Sequence, residues 1–204
     1  MPTADSPIFW FDFGSPNAWF SHKVLPALEA RTGVRFRYVP VLLGGIFKAT
    51  GNQAPMVAFA GIPAKTAYMH HEMQRFIRRH GLQQFRMNPH FPVNTLALMR
   101  TAVAAQEDGL LMPYVDAMFR YMWEEPRKLD DSLVLAGSLV DAGLPAERLL
   151  ALADTQPIKD RLVANTADAV ASGVFGIPSF RVGDELFFGK DSLPDVEAEL
   201  TSAP

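Results

Sequence analysis

Residues 8–16 read Ile8-Phe9-Trp10-Phe11-Asp12-Phe13-Gly14-Ser15-Pro16. The run over residues 8–13 is rich in β-formers and suits a buried strand. Gly14 and Ser15 break it, and Pro16 stands where the first turn of a helix is preset for helical φ. Phe20, Val24 and Leu28 follow at a spacing of four, the apolar stripe of a helix, and Gly33 ends that segment. Pro26 inside it should bend the helix rather than end it, because the apolar spacing runs on to Leu28. Residues 34–39 then alternate Val34, Phe36 and Tyr38 with Arg35 and Arg37, the pattern of a second strand. Two strands joined by one helix predict a βαβ unit with a parallel pair and a right-handed crossover.

Working outward, residues 40–91 show a looser pattern with one helical stretch at residues 64–80. Residues 94–106, 112–123, 132–142 and 157–171 are amphipathic, with Gly81, Gly109, Gly143 and Pro145 as punctuation. Strand signals return at residues 179–182 and 185–188, which flank Gly183-Asp184, a two-residue turn that predicts a tight hairpin. Residues 192–200 read as a final helix. The expected order is β-α-β, a long helical insertion, a β-hairpin and a helix, with no internal repeat and no low-complexity segment.

Composition narrows the chemistry. The chain has 204 residues, 19 Lys+Arg against 22 Asp+Glu, a formal net charge of −3, 49% hydrophobic residues and no cysteine. One domain, or one domain with a large insertion, can bury a sizeable core at this length, and the apolar fraction excludes a disordered chain. Slight acidity without a long basic run argues against nucleic acid as a partner. Absence of cysteine excludes a disulfide, a thiol nucleophile and any thiolate-held metal or cluster. His70-His71-Glu72 is not a His-Glu-x-x-His pattern, and adjacent helical residues face different ways, so no metal is expected. No secretory leader and no membrane-length apolar stretch is visible, so a cytoplasmic protein without a membrane partner is the expectation.

Several places could carry chemistry. Ser15 suits the N-cap of the first helix, and it also suits a functional hydroxyl; the two are compatible. A hydroxyl and free N–H groups at a helix N-terminus can hold an anion, including a ligand's thiolate. No Gly-x-Ser-x-Gly elbow surrounds Ser15, so a hydrolase-type nucleophile is not expected. In Gly176-Ile177-Pro178-Ser179-Phe180, Pro178 is either the harmless first residue of a strand or part of a cis bond that presents the Ile177 backbone to a ligand. Residues 43–52 mimic a phosphate loop but lack the Gly-Lys-Ser/Thr spacing of one. Lys48, Asn52 and Lys65 are therefore either solvated surface or partners for a ligand carboxylate. Glu124-Glu125 and Asp130-Asp131 read as solvated helix ends, and Met118, Tyr121 and Met122 as core.

The order of these features resembles the kappa-class glutathione transferases and 2-hydroxychromene-2-carboxylate isomerases, within the DsbA-like thioredoxin superfamily. The likeness runs over nearly the whole chain. It is carried by Phe11-Asp12-Phe13-Gly14-Ser15-Pro16 with Trp19, Phe47-Lys48-Ala49-Thr50-Gly51-Asn52 and Phe91-Pro92-Val93-Asn94-Thr95. Gly173-Val174-Phe175-Gly176-Ile177-Pro178 and Phe188-Gly189-Lys190-Asp191 complete it. The resemblance implies an α/β thioredoxin-like fold (β-α-β … β-β-α) with a large inserted all-α domain. Residues 1–40 and 172–204 would form the thioredoxin-like domain and residues 41–171 the insertion.

The resemblance also implies glutathione as cofactor. Ser15 is then the catalytic residue that holds the glutathione sulfur as a thiolate. Pro178 is the family's cis-proline, with Ile177 pairing backbone-to-backbone with the cysteinyl unit. Asn52 and Lys65 would contact the peptide backbone and glycine end. Lys190, Asp191 and Ser192 would take the γ-glutamyl end, with Asp191 meeting its ammonium group. The family often has Ser, Gln or Asn before this Asp and Arg after it, where this chain has Lys190 and Ser192. The implied activity is a glutathione-dependent isomerase of 2-hydroxychromene-2-carboxylate or a similar aromatic catabolite. A kappa-type transferase or peroxidase acting on an electrophile is the alternative, and a non-catalytic thioredoxin-like binding module is a third. The implied partners are a small aromatic carboxylate or electrophile, with Arg100 and Arg78 as candidate cations, and a second copy in a homodimer. On such a scaffold, the place of a reactive Cys is taken by Ser15, which fits a chain that borrows its sulfur from a ligand.

Overall fold

The computed structural model describes residues 6–202. Strand β1 (Ile8–Phe11) is hydrogen-bonded on both sides and buried at every position, as a central strand covered on both faces is. It pairs in parallel with β2 (Arg37–Pro40) and antiparallel with β3 (Ser179–Val182), which pairs antiparallel with β4 (Glu185–Phe188). The sheet order is β2-β1-β3-β4, so the parallel pair and the hairpin foreseen at opposite ends of the chain join in one sheet.

Helix α1 (Pro16–Thr32) connects β1 to β2, runs on through Pro26, and ends where Gly33 takes φ 73 and donates to Glu29 O. Eight helices follow before β3: α2 (Leu43–Thr50), α3 (Pro55–Ala58), α4 (Pro63–His80), α5 (Leu96–Glu107), α6 (Leu111–Trp123), α7 (Ser132–Asp141), α8 (Ala146–Ala153) and α9 (Gln156–Ala171). After β4, a 3₁₀ turn (Lys190–Ser192) leads into α10 (Leu193–Ser202).

Both hairpin strands keep their expected bounds, whereas the first two strands are shorter than the β-forming runs. Asp12 leaves β1 because its backbone carbonyl accepts the Ser15 N–H at 3.1 Å in the turn that follows. β2 begins at Arg37 because the Phe36 N–H is already held by Glu29 Oε1 at 2.8 Å, and the Arg37 N–H opens the pairing by donating to Pro7 O at 2.8 Å. Helices α2, α3 and α8 are not legible in the sequence. A Gly44-Gly45 pair disfavours helix locally, but α2 is anchored from outside: the Leu43 N–H donates to Asp12 Oδ2 at 2.8 Å, and Gly45 lies against the Thr166 methyl of α9. Glu124 is not a solvated helix end. Its Oε1 accepts from Trp19 Nε1 at 3.2 Å and from Lys23 Nζ at 3.1 Å.

The core that carries the sheet is aromatic. Phe9 stacks on Phe180 at 5.2 Å and meets Tyr38 edge-on at 4.8 Å, while Phe13 meets Phe119 of α6 at 4.7 Å. Trp123 Nε1 donates to Phe13 O at 2.9 Å, so α6 is bonded to the segment that leads into Ser15. Phe9, Phe11 and Phe13 are fully buried. Each contributes about 1.5–3 kcal/mol by burial, a large share of the roughly 5–15 kcal/mol that keeps a domain folded. Among the described residues, no helix is long and apolar enough to cross a membrane.

Candidate functional site

One edge of the sheet collects four chain segments. Phe11 pairs with Pro40, so the carboxyl ends of β1 and β2 lie side by side, each followed by the start of a helix. Trp10 pairs with Ser179 and Ser179 with Phe188, which brings the start of β3 and the end of β4 to the same edge. Ligands of sheets with parallel strands gather outside such carboxyl ends.

Ser15 sits there, buried at the N-terminus of α1. Its Oγ accepts from the Ala18 N–H at 3.2 Å and donates to the Ile177 carbonyl at 3.0 Å, so the capping role is real and a second partner lies 162 residues away in sequence. The Ile177–Pro178 bond is cis. Among the described residues no hydrogen bond reaches the Ile177 N–H, although Ile177 is buried. Pro178 O accepts from the Gly189 N–H at 2.9 Å, which ties the turn after β4 to the same peptide. Ser15, Ile177, Pro178 and Gly189 therefore form one continuous hydrogen-bonded line.

Asp12 holds this corner in place. Its carboxylate is fully buried and accepts from Gly14 N at 2.8 Å through Oδ1 and from Leu43 N at 2.8 Å through Oδ2. Burial pushes its carboxyl above the ordinary range, while the Leu43 and Gly14 N–H groups and the Thr95 hydroxyl oppose that rise. A Cβ on Gly14 would stand 3.3 Å from both Asp12 Oδ1 and the Thr95 methyl, so a larger residue would press on both side chains. Asp12 and Thr95 are positioning residues that the sequence reading did not single out. The available signal was a lone carboxylate inside an apolar strand run.

The other expected ligand residues divide. Asn52 is exposed; its Nδ2 donates to Phe175 O at 2.8 Å, which places it beside the segment before Pro178. Lys65 is exposed on α4, its ammonium 3.3 Å from the centroid of the Phe59 ring. Lys190 is 1% exposed and turned inward: Nζ pairs with Glu72 of α4, bonds Asp191 Oδ2 at 2.7 Å and lies 4.8 Å from the Phe76 ring centroid. Asp191 is exposed apart from that bond, and Ser192 Oγ donates to Gly189 O at 2.8 Å within the turn. Two aromatic rings rim the edge: Phe175 and Phe188 pack at 4.6 Å, both partly exposed, and the Phe188 ring lies close over Gly176. Arg78 is exposed on α4, and Arg100 is half-buried on α5.

A family model for the DSBA-like thioredoxin domain matches residues 8–201, which is almost the whole chain. The chain belongs to the DsbA-like thioredoxin family. Within it, glutathione S-transferase kappa 1 of Rattus norvegicus is 26% identical over 179 residues, covering 83% of this chain and 77% of that protein. The 2-hydroxychromene-2-carboxylate isomerase of Sphingobium xenophagum is 26% identical over 197 residues, covering 94% of this chain and 96% of that one. A solved 2-hydroxychromene-2-carboxylate isomerase superposes with a TM-score of 0.80 at 23% identity, covering 96% of this chain and 94% of the other, a likeness of fold. This DsbA-like chain is therefore related to isomerase and transferase enzymes, with Ser15 at the start of its first helix.

Proposed function

We propose that the protein is a glutathione-dependent isomerase acting on 2-hydroxychromene-2-carboxylate or a similar aromatic carboxylate. The observation that carries this reading is the corner in which the Ser15 hydroxyl bonds the Ile177 carbonyl while, among the described residues, no hydrogen bond reaches the Ile177 N–H. That backbone offers a peptide ligand one donor at once and one acceptor when Ser15 turns away, which fits the cysteinyl unit of glutathione. The name of the kappa transferase relative supports the same ligand, and that of the isomerase relative supports the reaction.

When bound, glutathione would supply a thiolate that adds reversibly to a conjugated carboxylate, allowing ring opening and cis–trans rotation without being consumed. The chain's own residues do the rest. Ser15 releases the Ile177 carbonyl and donates its O–H to the sulfur. The partial positive charge at the α1 N-terminus favours the anion and lowers the thiol's proton affinity. Burial at this corner lowers the local dielectric and strengthens both effects. Asn52, already bonded to Phe175 O, and Asp191, exposed beside the same line, frame the two ends of the peptide in this reading. On the same reading, residues 1–40 with 172–204 form the thioredoxin-like domain (1–5 and 203–204 lie outside the described residues), residues 41–171 form the helical insertion that supplies Asn52, and two copies form a homodimer.

Calorimetric titration of glutathione into wild type and Ser15→Ala tests the cofactor site, and equal affinities would sink it. Product analysis with the chromene carboxylate tests the reaction. An isomerase converts substrate with free thiol constant, whereas one thiol lost per turnover would make the protein a kappa-type transferase instead.

A further inference from the structure

A cavity of about 580 Å³ opens between α2, the start of α5 and α9, within the range of small-molecule sites. Its wall begins at the edge that holds Ser15. Leu42 and Leu96 line it, and they are the chain neighbours of Leu43, whose N–H binds Asp12, and of Thr95, which packs on Gly14. Leu42, Leu96, Val163 and Val170 make most of its surface apolar, and Val163 is 68% exposed.

The charges around this cavity are not equivalent. Lys159 is paired with Asp154 at 2.6 Å, and Asp160 accepts from Gln156 Nε2 at 2.7 Å. The Thr166 hydroxyl donates to Leu162 O and accepts from the Leu42 N–H. Arg100 is the exception. Its side chain lines the cavity one helical turn beyond Leu96, half-buried, and among the described residues no hydrogen bond or ion pair reaches its guanidinium. Asp154 lies near enough to feel Arg100 but bonds Lys159. Arg100 also borders a smaller cavity beside Asp154. A half-buried guanidinium with no bonded partner among the described residues, on the wall of a mostly apolar cavity, suits a planar carboxylate that can take two parallel N–H bonds.

We propose that this cavity binds an aryl carboxylate, its ring between α2 and α9 and its carboxylate on the Arg100 guanidinium. The proposal rests on the function above only in taking this ligand as the second substrate, because binding here needs no glutathione. It also separates the two arginines left open by the sequence, since Arg78 stands exposed on α4.

The full-length chain is titrated calorimetrically with 2-naphthoate and, separately, with the neutral 2-naphthylmethanol. Wild type should bind the carboxylate more tightly. Arg100→Gln should weaken naphthoate by about tenfold, the worth of one charge-assisted bond, and leave naphthylmethanol unchanged. Ala49→Phe, at an exposed position lining the cavity, should weaken both ligands while circular dichroism shows an intact fold. Naphthoate affinity unchanged in either variant, or absent in wild type, overturns the proposal. Glutathione is titrated in parallel. Arg100-dependent naphthoate binding without glutathione binding would overturn the isomerase reading and leave this site standing. The reverse result would overturn only this site.

Discussion

Ser15 and Lys190 stand at one edge of the sheet, on either side of the cis Ile177–Pro178 peptide, and spend their polar atoms differently. Ser15 bonds the Ile177 carbonyl, and Gly189, next to Lys190, bonds the Pro178 carbonyl. The serine's bond is a single neutral one that a ligand can replace at little cost. The lysine's charge is committed: it is 1% exposed, pairs with Glu72 and Asp191, and faces the Phe76 ring. Both residues lie in motifs that the resemblance associates with glutathione. The difference teaches that a motif names a position, while the neighbours decide whether its polar atoms are available.

The largest test of that contrast removes Lys190. Lys190→Ala should cost about 3 kcal/mol in urea unfolding, chiefly because its buried stem leaves a cavity beside Phe76 while the solvent-accessible Glu72 and Asp191 lose their partner, and the folded variant should still bind glutathione. Retained stability with lost glutathione binding would reverse the assignment. Ser15→Ala should cost less, about 2 kcal/mol, by uncapping Ala18 N and leaving the Ile177 carbonyl unbonded, but it should abolish glutathione binding. Gly176→Ala places a Cβ 2.8 Å from Phe188 Cε2. The partly exposed ring can swing aside, so a loss of about 1 kcal/mol is expected in the same assay.

Asp12 sharpens the comparison through pH. Its folded-state proton affinity is raised by burial. Its contribution is therefore fully present below the unfolded value of 3.8 and is lost as pH rises through the higher folded value. Urea stability of wild type relative to Asp12→Asn should shift in favour of wild type on acidification from neutral pH. A shift in the other direction would contradict the burial that positions Ser15. The smallest change is expected at Asn52, exposed at the rim. Asn52→Ala should alter stability by no more than about 0.5 kcal/mol, with its effect confined to glutathione affinity.

Local pattern determined much of this protein. The β-forming run at residues 8–13, the Ser15-Pro16 helix start, Gly33 as helix stop and the Gly183-Asp184 turn each specify local backbone geometry through neighbours in sequence. Their order led to the fold, and the Ser15 motif led to the edge where the site lies. Tertiary structure alone decided the rest. Helix α2 contains two glycines and holds through Asp12 and Thr166, contacts that no local propensity encodes. Lys190 is buried because Glu72, 118 residues earlier, arrives beside it, and Arg100 has no bonded partner among the described residues while nearby Asp154 bonds Lys159. Strand and helix signals act over a few residues, whereas the availability of a charge depends on every group that folding brings within reach.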